Sequence, residues 1–329
     1  MFDLILVGNG NVARRFASLL VEQKAALARD HDLRARIVGI ATRHHGCTLG
    51  RRRVTPASTS DFIRAATKAH AAAAKQRRLV VIETTTLDIE RGEPAISHIR
   101  AALAGGAHVI TANKGPVAFA YRALARAAAR AHRRFLFEGA VMDGVPIFNL
   151  VRETLPAVRI NGFRGVVNST TNFILTAMEQ GAAFDAALAE MQARGIAEAD
   201  ASLDIDGWDA AAKTAALANV LLGANITPQM VDRQGISAAS GRLARDARSA
   251  GRRLKLIAQA RRVGRGVTAR VAPETLPGDD LLAGVEGQQN ALILETDLLE
   301  EIAIIQRSGS LTQTAYALLS DLVTIARPA

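Results

Sequence analysis

The sequence predicts an α/β protein: an N-terminal Rossmann-type, doubly wound parallel sheet followed by a second, α+β catalytic and dimerisation domain. Three observations predict it. Short apolar strands alternate with Ala-rich helical stretches over roughly the first 130 residues, the rhythm of a parallel sheet covered by helices. A glycine-rich turn, "GNGNVA" (8–13), follows the first strand directly and opens a helix. From about residue 135 the texture changes to blocks rich in glycine and small polar residues, followed by longer helices. At 329 residues and 49% hydrophobic composition, the chain is long and apolar enough for two cores.

The strands expected in the first domain are "LILVG" (4–8), "ARIVGIA" (35–41), "LVVIETT" (79–85) and "HVITAN" (108–113), with helices near 11–28, 60–75, 94–104 and 117–132. "FLFEGAVMDGVPIFNL" and "INGFRGVVNSTTNFIL" are read as strand-like blocks, "VTARVAPETLP" and "ALILETD" as further strands, and "TAYALLSDLVTIA" as a closing helix. The nucleotide-binding domain is assigned to 1–134, with the C-terminal helix 312–327 a candidate to complete it; 135–311 form the dimerisation and catalytic domain.

Composition narrows the function. The formal charge is +10, but the arginine pairs are scattered and aromatic residues total 4%, so stacking platforms for nucleic acid are not expected. The lone Cys47 excludes an intrachain disulfide framework and a Cys-based zinc site. "MFDLILVG" runs into a strand with no secretory leader, and no run approaches the ~20 apolar residues that span a bilayer, so a cytoplasmic protein without membrane partners is expected.

The first turn carries the clearest chemistry. In G-x-G-x-x-A, Gly8 permits a tight turn, Gly10 lets the backbone approach a pyrophosphate, and Ala13 packs helix against strand; Asn11 and Val12 complete the helix start, whose free N–H groups suit an anion. An acid closing the second strand would bind the ribose hydroxyls of NAD. Here "GIATRHHG" offers Thr42 and Arg43, and a cation there accommodates a 2′-phosphate, favouring NADP over NAD.

All seven histidines lie in the first 132 residues, so chemistry in the second domain falls to carboxylates and lysine. Of 41 basic residues only six are lysine. Lys213 is one of them, inside the apolar run "WDAAAKTAALANVLLG", with Asp209 four residues earlier on the same helix face. Desolvation lowers such an amine's pKa while the acid raises it, which suits a proton donor as well as an ordinary helix pair. A calcium loop in "DIDG" fails, because Lys213 falls where a bidentate glutamate is required.

Six ordered blocks, "GNGNVA", "ETTT", "EPAISHIRAALAGGAHVITANKGPVA", "EGAVMDGVPIFNL", "GVVNSTTNFIL" and "GIAEADASLDIDGWDAAAKTAALA", make the chain resemble homoserine dehydrogenases. That family reduces aspartate 4-semialdehyde to homoserine with a nicotinamide cofactor, on the way to threonine and methionine. The resemblance implies Lys213 as the acid-base residue, Asp209 orienting it or the reacting oxygen, and Lys114 of "TANKGP" at the junction of cofactor and substrate. It implies cofactor contacts at Thr84 and Thr85, and substrate contacts at Glu198, Asp204 and Thr170, with Glu198 the partner of the α-ammonium. It also implies a sodium ion held by Glu138 and the backbone oxygens of Val141, Asp143 and Val145, and a homodimer in which 135–150 supplies a sheet edge. Two departures stand out. The chain ends before the regulatory domain of many relatives, so threonine feedback through one is not expected. "QRSGSL" (306–311) replaces a glycine-rich stretch, with Gln306, Ser308 and Ser310 at glycine positions. That change keeps open an oxidoreductase for another small amino or hydroxy acid, or a catalytically silent cofactor-binding regulatory protein.

Overall fold

The computed structural model describes residues 1–43, 46–73, 77–194 and 200–327. The chain forms two compact units, Met1–Asn149 with Ser310–Ala329, and Leu150–Gly309.

The first unit contains β1 (Phe2–Val7), α1 (Asn11–Glu22), α2 (Lys24–His31), β2 (Ala35–Thr42), β3 (Gly46–Leu49), β4 (Arg52–Val54), α3 (Thr59–Ala73), β5 (Arg78–Glu83), α4 (Ala95–Ala104), β6 (His108–Thr111), α5 (Lys114–Arg130) and β7 (Phe135–Leu136). Its sheet runs β4-β3-β2-β1-β5-β6-β7, with β2, β1, β5, β6 and β7 parallel. The chain order reverses between β1 and β5, the switch point where open α/β sheets bind ligands beyond their strand ends. Aliphatic residues of β1 and β5 are wholly buried because helices cover both faces.

Two local expectations change. The helix expected over 11–28 divides at Gln23, because only Leu27 of α2 is buried and no apolar stripe carries the first helix onward. The antiparallel hairpin β3–β4 is additional; its strands are three and four residues long, too short and too arginine-rich for the alternation pattern to reveal.

The block 135–150 is not a strand. Only Phe135–Leu136 pair, and a 3-10 turn (Glu138–Ala140) follows. The Glu138 carboxylate accepts N–H bonds from Ile147 (2.6 Å), Phe148 (2.9 Å) and Asn149 (2.6 Å), and the Glu138 N–H donates to Asp321 (2.9 Å). These bonds tie the segment to the first unit, which therefore continues past the expected boundary at 134 to Asn149. Phe137 packs against Tyr121, Phe135 and Phe148, so the aromatic residues of the supposed dimer edge serve their own unit's core.

After α6 (Phe148–Thr154), the second unit comprises β8 (Ile160–Val166), α7 (Ser169–Glu179), α8 (Phe184–Ala193), α9 (Ser202–Ile205), α10 (Trp208–Leu221), β9 (Asp232–Arg233), α11 (Ser240–Ser249), β10 (Arg252–Val263), β11 (Gly266–Pro277), β12 (Asn290–Thr296) and β13 (Glu301–Gln306). Its largely antiparallel sheet runs β13-β12-β8-β10-β11-β9. Helices α7, α10 and α11 pack against β10 or β11. α10 is alanine-rich and buried nearly all round, which lets it lie close to the sheet with Asp209 and Lys213 as its few charged groups. The last helix, α12 (Leu311–Ala326), packs against α1 and belongs to the first unit. Among the described residues no helix is long and apolar enough to cross a membrane.

Candidate active site

The glycine turn lies at the switch point. Gly8 has φ +92°, and a Cβ there would meet the Thr84 carbonyl oxygen at 2.8 Å, so backbone conformation and space both require glycine. Thr84 N–H donates to the Val7 carbonyl at 2.8 Å, locking β5's exit to the turn. Gly10 caps α1 with no side chain and has open space beyond its α-carbon, where a pyrophosphate can approach free N–H groups. Asn11 begins the helix and accepts from Arg14 (2.6 Å); Val12 packs on the core and Ala13 is fully buried.

Behind Thr84 and Thr85 lies a buried carboxylate that sequence reasoning passed over. Glu83, 0% exposed, accepts from the Thr85 N–H (3.0 Å) and hydroxyl and from the Thr111 hydroxyl (2.8 Å). Thr111 in turn accepts the Asn113 N–H (3.0 Å), while the Asn113 amide donates to the Thr85 carbonyl (3.0 Å) and accepts from Gly115 N–H (2.9 Å) as the cap of α5. The network fixes the ends of β5 and β6 together. Half-buried Lys114 occupies the first turn of α5, directly after this cap.

Arg43 is exposed and follows the last residue of β2, whose Thr42 hydroxyl donates to the Gly46 carbonyl (3.0 Å). The guanidinium of Arg53 lies 3.6 Å from the point where a side chain on Gly46 would begin. Gly46 pairs with Thr42, so a second cation stands beside the end of β2.

In the second unit the residues expected to carry acid-base chemistry form one cluster. Lys213 Nζ donates to the Val167 carbonyl (2.7 Å) and pairs with Asp209 (2.9 Å), the two side chains being 16% and 15% exposed. Asn168, the cap of α7, donates its amide N–H groups to Asp204 (2.7 Å) and Asp209 (2.8 Å) while its oxygen accepts from Thr171 N–H (2.8 Å). Burial and the neighbouring Asp209 charge push the Asp204 carboxyl above its ordinary pKa, opposed by bonds from Asn168 and Thr170 and by the Lys213 charge. Gly207 (φ +80°) turns the chain between α9 and α10, bringing Asp204 and Asp209 to the same end of α7. Glu198 lies outside the described residues. Asn168 lies in "GVVNSTTNFIL", where local spacing assigns it no role; an asparagine capping a helix after a buried strand is the available signal.

The 138–145 loop has a mixed fit to a monovalent cation. The Glu138 carboxylate is engaged by three backbone N–H groups, so it organises the loop. The carbonyl oxygens of buried Val141 and of Val145 accept no hydrogen bond among the described residues, and Asp143 has φ +48° with its side chain accepting from Thr314 (2.9 Å). Carbonyl oxygens left in this state suit a hard cation. The "QRSGSL" departures have structural uses: buried Gln306 accepts from Asn290 (2.9 Å), and Ser310 caps α12 by accepting the Gln313 N–H (3.2 Å), while Ser308 is exposed.

A switch-point dinucleotide turn in one unit and a lysine–carboxylate cluster in the other define a nicotinamide-dependent oxidoreductase acting on a CH–OH group. Residues 8–138 match the homoserine dehydrogenase NAD-binding domain and residues 146–323 the homoserine dehydrogenase family model. The chain is 36% identical to the NAD(+)-dependent homoserine dehydrogenase of Pseudomonas canavaninivorans, over 98% of this chain and 96% of the relative. It is 35% identical to the homoserine dehydrogenase of Sulfurisphaera tokodaii, over 98% of each. A crystal structure of a putative homoserine dehydrogenase from Archaeoglobus fulgidus superposes with a TM-score of 0.86 at 28% identity, covering 100% of both chains. The chain belongs to the homoserine dehydrogenase family.

Proposed function

We propose that this chain interconverts L-aspartate 4-semialdehyde and L-homoserine with NADP(H) in preference to NAD(H), using Lys213 as its acid-base residue. The observation that carries the reading is the Lys213 amine, held by a backbone carbonyl and Asp209 within a largely apolar helix. A bound nicotinamide supplies or accepts the hydride at the substrate's terminal carbon. Lys213 gives a proton to the aldehyde oxygen as negative charge builds there, and takes it back when homoserine is oxidised. Asp209 keeps the amine oriented and favours its protonated form. Asp204 and Glu198 receive the substrate's ammonium, Thr170 contributes a hydroxyl, and Lys114 serves the reacting end of the cofactor and substrate.

Gly8, Gly10, Asn11, Val12 and Ala13 receive the pyrophosphate, Thr84 and Thr85 hold the nicotinamide side, and Arg43 with Arg53 receives the 2′-phosphate. The NAD(+) preference in the name of the Pseudomonas relative makes this last assignment the one to test. The carbonyls of Val141, Asp143 and Val145 would hold a sodium ion, with Glu138 fixing the loop. The protein works in the cytoplasm as a homodimer. Support for the dimer comes from β13, an edge strand that leaves Ile305 51% exposed, with Leu298 and Leu299 of the preceding turn at 66% and 49%. Oxidation of L-homoserine should exceed that of other small hydroxy acids under matched NADP(+); equal or better oxidation of another hydroxy acid would overturn the substrate assignment.

A further inference from the structure

A cavity of about 710 Å³ in the first unit lies away from the glycine turn. It is lined by Arg77, Arg78 and Arg133, by His70 and His108, and by the Gly105–Gly106 turn; among the described residues no carboxylate lines it. Arg78 and His108 begin β5 and β6, whereas the dinucleotide turn follows the far end of β1 beside Thr84. Six residues of strand separate the two levels, on the order of 17–20 Å. This cavity therefore cannot receive the phosphates bound at the turn.

The cationic groups are incompletely neutralised. Arg78 donates to the Ile325 carbonyl (3.0 Å) and stacks on Phe2 (5.3 Å), and Arg133 donates to the carbonyls of Gly106 and His132; neither pairs with a carboxylate among the described residues. Arg77 shares Asp3 (3.6 Å) with Arg36 (2.7 Å) and His70 (3.3 Å), so one acid faces two guanidiniums and an imidazole. His70 Nε2 is buried without a hydrogen bond. The positive field has a second sign: burial, with Arg133, Arg78 and Arg134 nearby, holds His108 down at about 4. A concave site of this volume admits a small metabolite, and guanidinium forks match phosphate oxygens.

We propose that this cavity is a second anion site, which binds a phosphate group, free or carried on a small metabolite, at the amino-terminal edge of the parallel sheet. Inorganic phosphate and a small phosphomonoester are titrated separately into the full chain with saturating NADPH present, at constant ionic strength set by chloride. Melting temperature and the histidine imidazole resonances are followed. Saturable binding with Kd at or below about 1 mM and shifts at His70 and His108 are expected. Arg133→Gln and Arg77→Gln should each weaken it at least ~10-fold. Retained dehydrogenase turnover reports that each variant is folded, and the wild-type resonances need no variant. Tighter binding of the monoester assigns the site to a metabolite, and equal binding to the free ion. Linear, chloride-like responses to both probes, or affinities unchanged in both variants, would overturn the proposal.

Discussion

Replacing Lys213 with arginine separates proton transfer from helix support. Arginine keeps the charge beside Asp209, which sits 2.9 Å from the lysine amine, so the i,i+4 pair is retained. A planar guanidinium does not reproduce the amine's 2.7 Å bond to the Val167 carbonyl, and the loss of that bond costs about 1–2 kcal/mol. The melting temperature should then fall by only a few degrees, roughly 2–4 °C per kcal/mol for a chain of this size. Turnover should suffer far more. A guanidinium scarcely deprotonates, so the general acid-base contribution of ~10²–10⁴-fold disappears, about 2.7–5.5 kcal/mol of barrier. Steady-state kcat in both directions, with NADP(H) affinity measured by fluorescence, checks this. Cofactor affinity should hold, because the Gly8–Ala13 turn lies in the other unit. A folded Lys213→Arg protein with kcat within about fivefold of the parent would refute the acid-base role.

Asn168→Ser keeps an acceptor for the Thr171 N–H but removes both amide donors to Asp204 and Asp209; stability should fall by about 1–3 kcal/mol while kcat/KM falls at least ~10-fold, and kinetics matching the parent would show the bridge to be idle. Arg43→Glu should lower the ratio of NADPH to NADH use by ~10–100-fold, because a 2′-phosphate loses a cation and meets a like charge; an unchanged ratio means Arg43 points elsewhere. Asp204 has a raised pKa, so the folded state binds its proton more tightly than the unfolded chain. Its contribution to stability is fully present below the ordinary carboxylate pKa of about 4 and is lost as pH rises through the folded value. Denaturant titrations should show this pH dependence flattened in Asp204→Asn; an identical slope in both proteins would contradict the shift.

The parallel sheet was legible because its strands are uninterrupted aliphatic runs buried on both faces, and the glycine turn because Gly8 has no alternative beside Thr84. Lys213 and Asp209 were legible as charges on a helix that otherwise buries alanine and leucine. The segment 135–150 misled because phenylalanines, valines and glycines resemble an edge strand. Glu138, the residue read as a cation ligand, folds that segment by accepting three backbone N–H groups. Glu83 and Asn168 were missed for one reason: their importance lies in partners 28 to 41 residues away, which no local spacing encodes. The serines and glutamine of "QRSGSL" looked like lost glycines, yet Gln306 and Ser310 carry bonds visible only once β12 and α12 are in place.

The most direct measurement pairs NADPH and NADH, each with L-aspartate 4-semialdehyde and the purified full chain, following cofactor absorbance and recovering the product. Oxidation of both cofactors to give L-homoserine is expected, with the higher kcat/KM for NADPH. A folded protein that binds cofactor but forms no homoserine from either would contradict the proposed reaction.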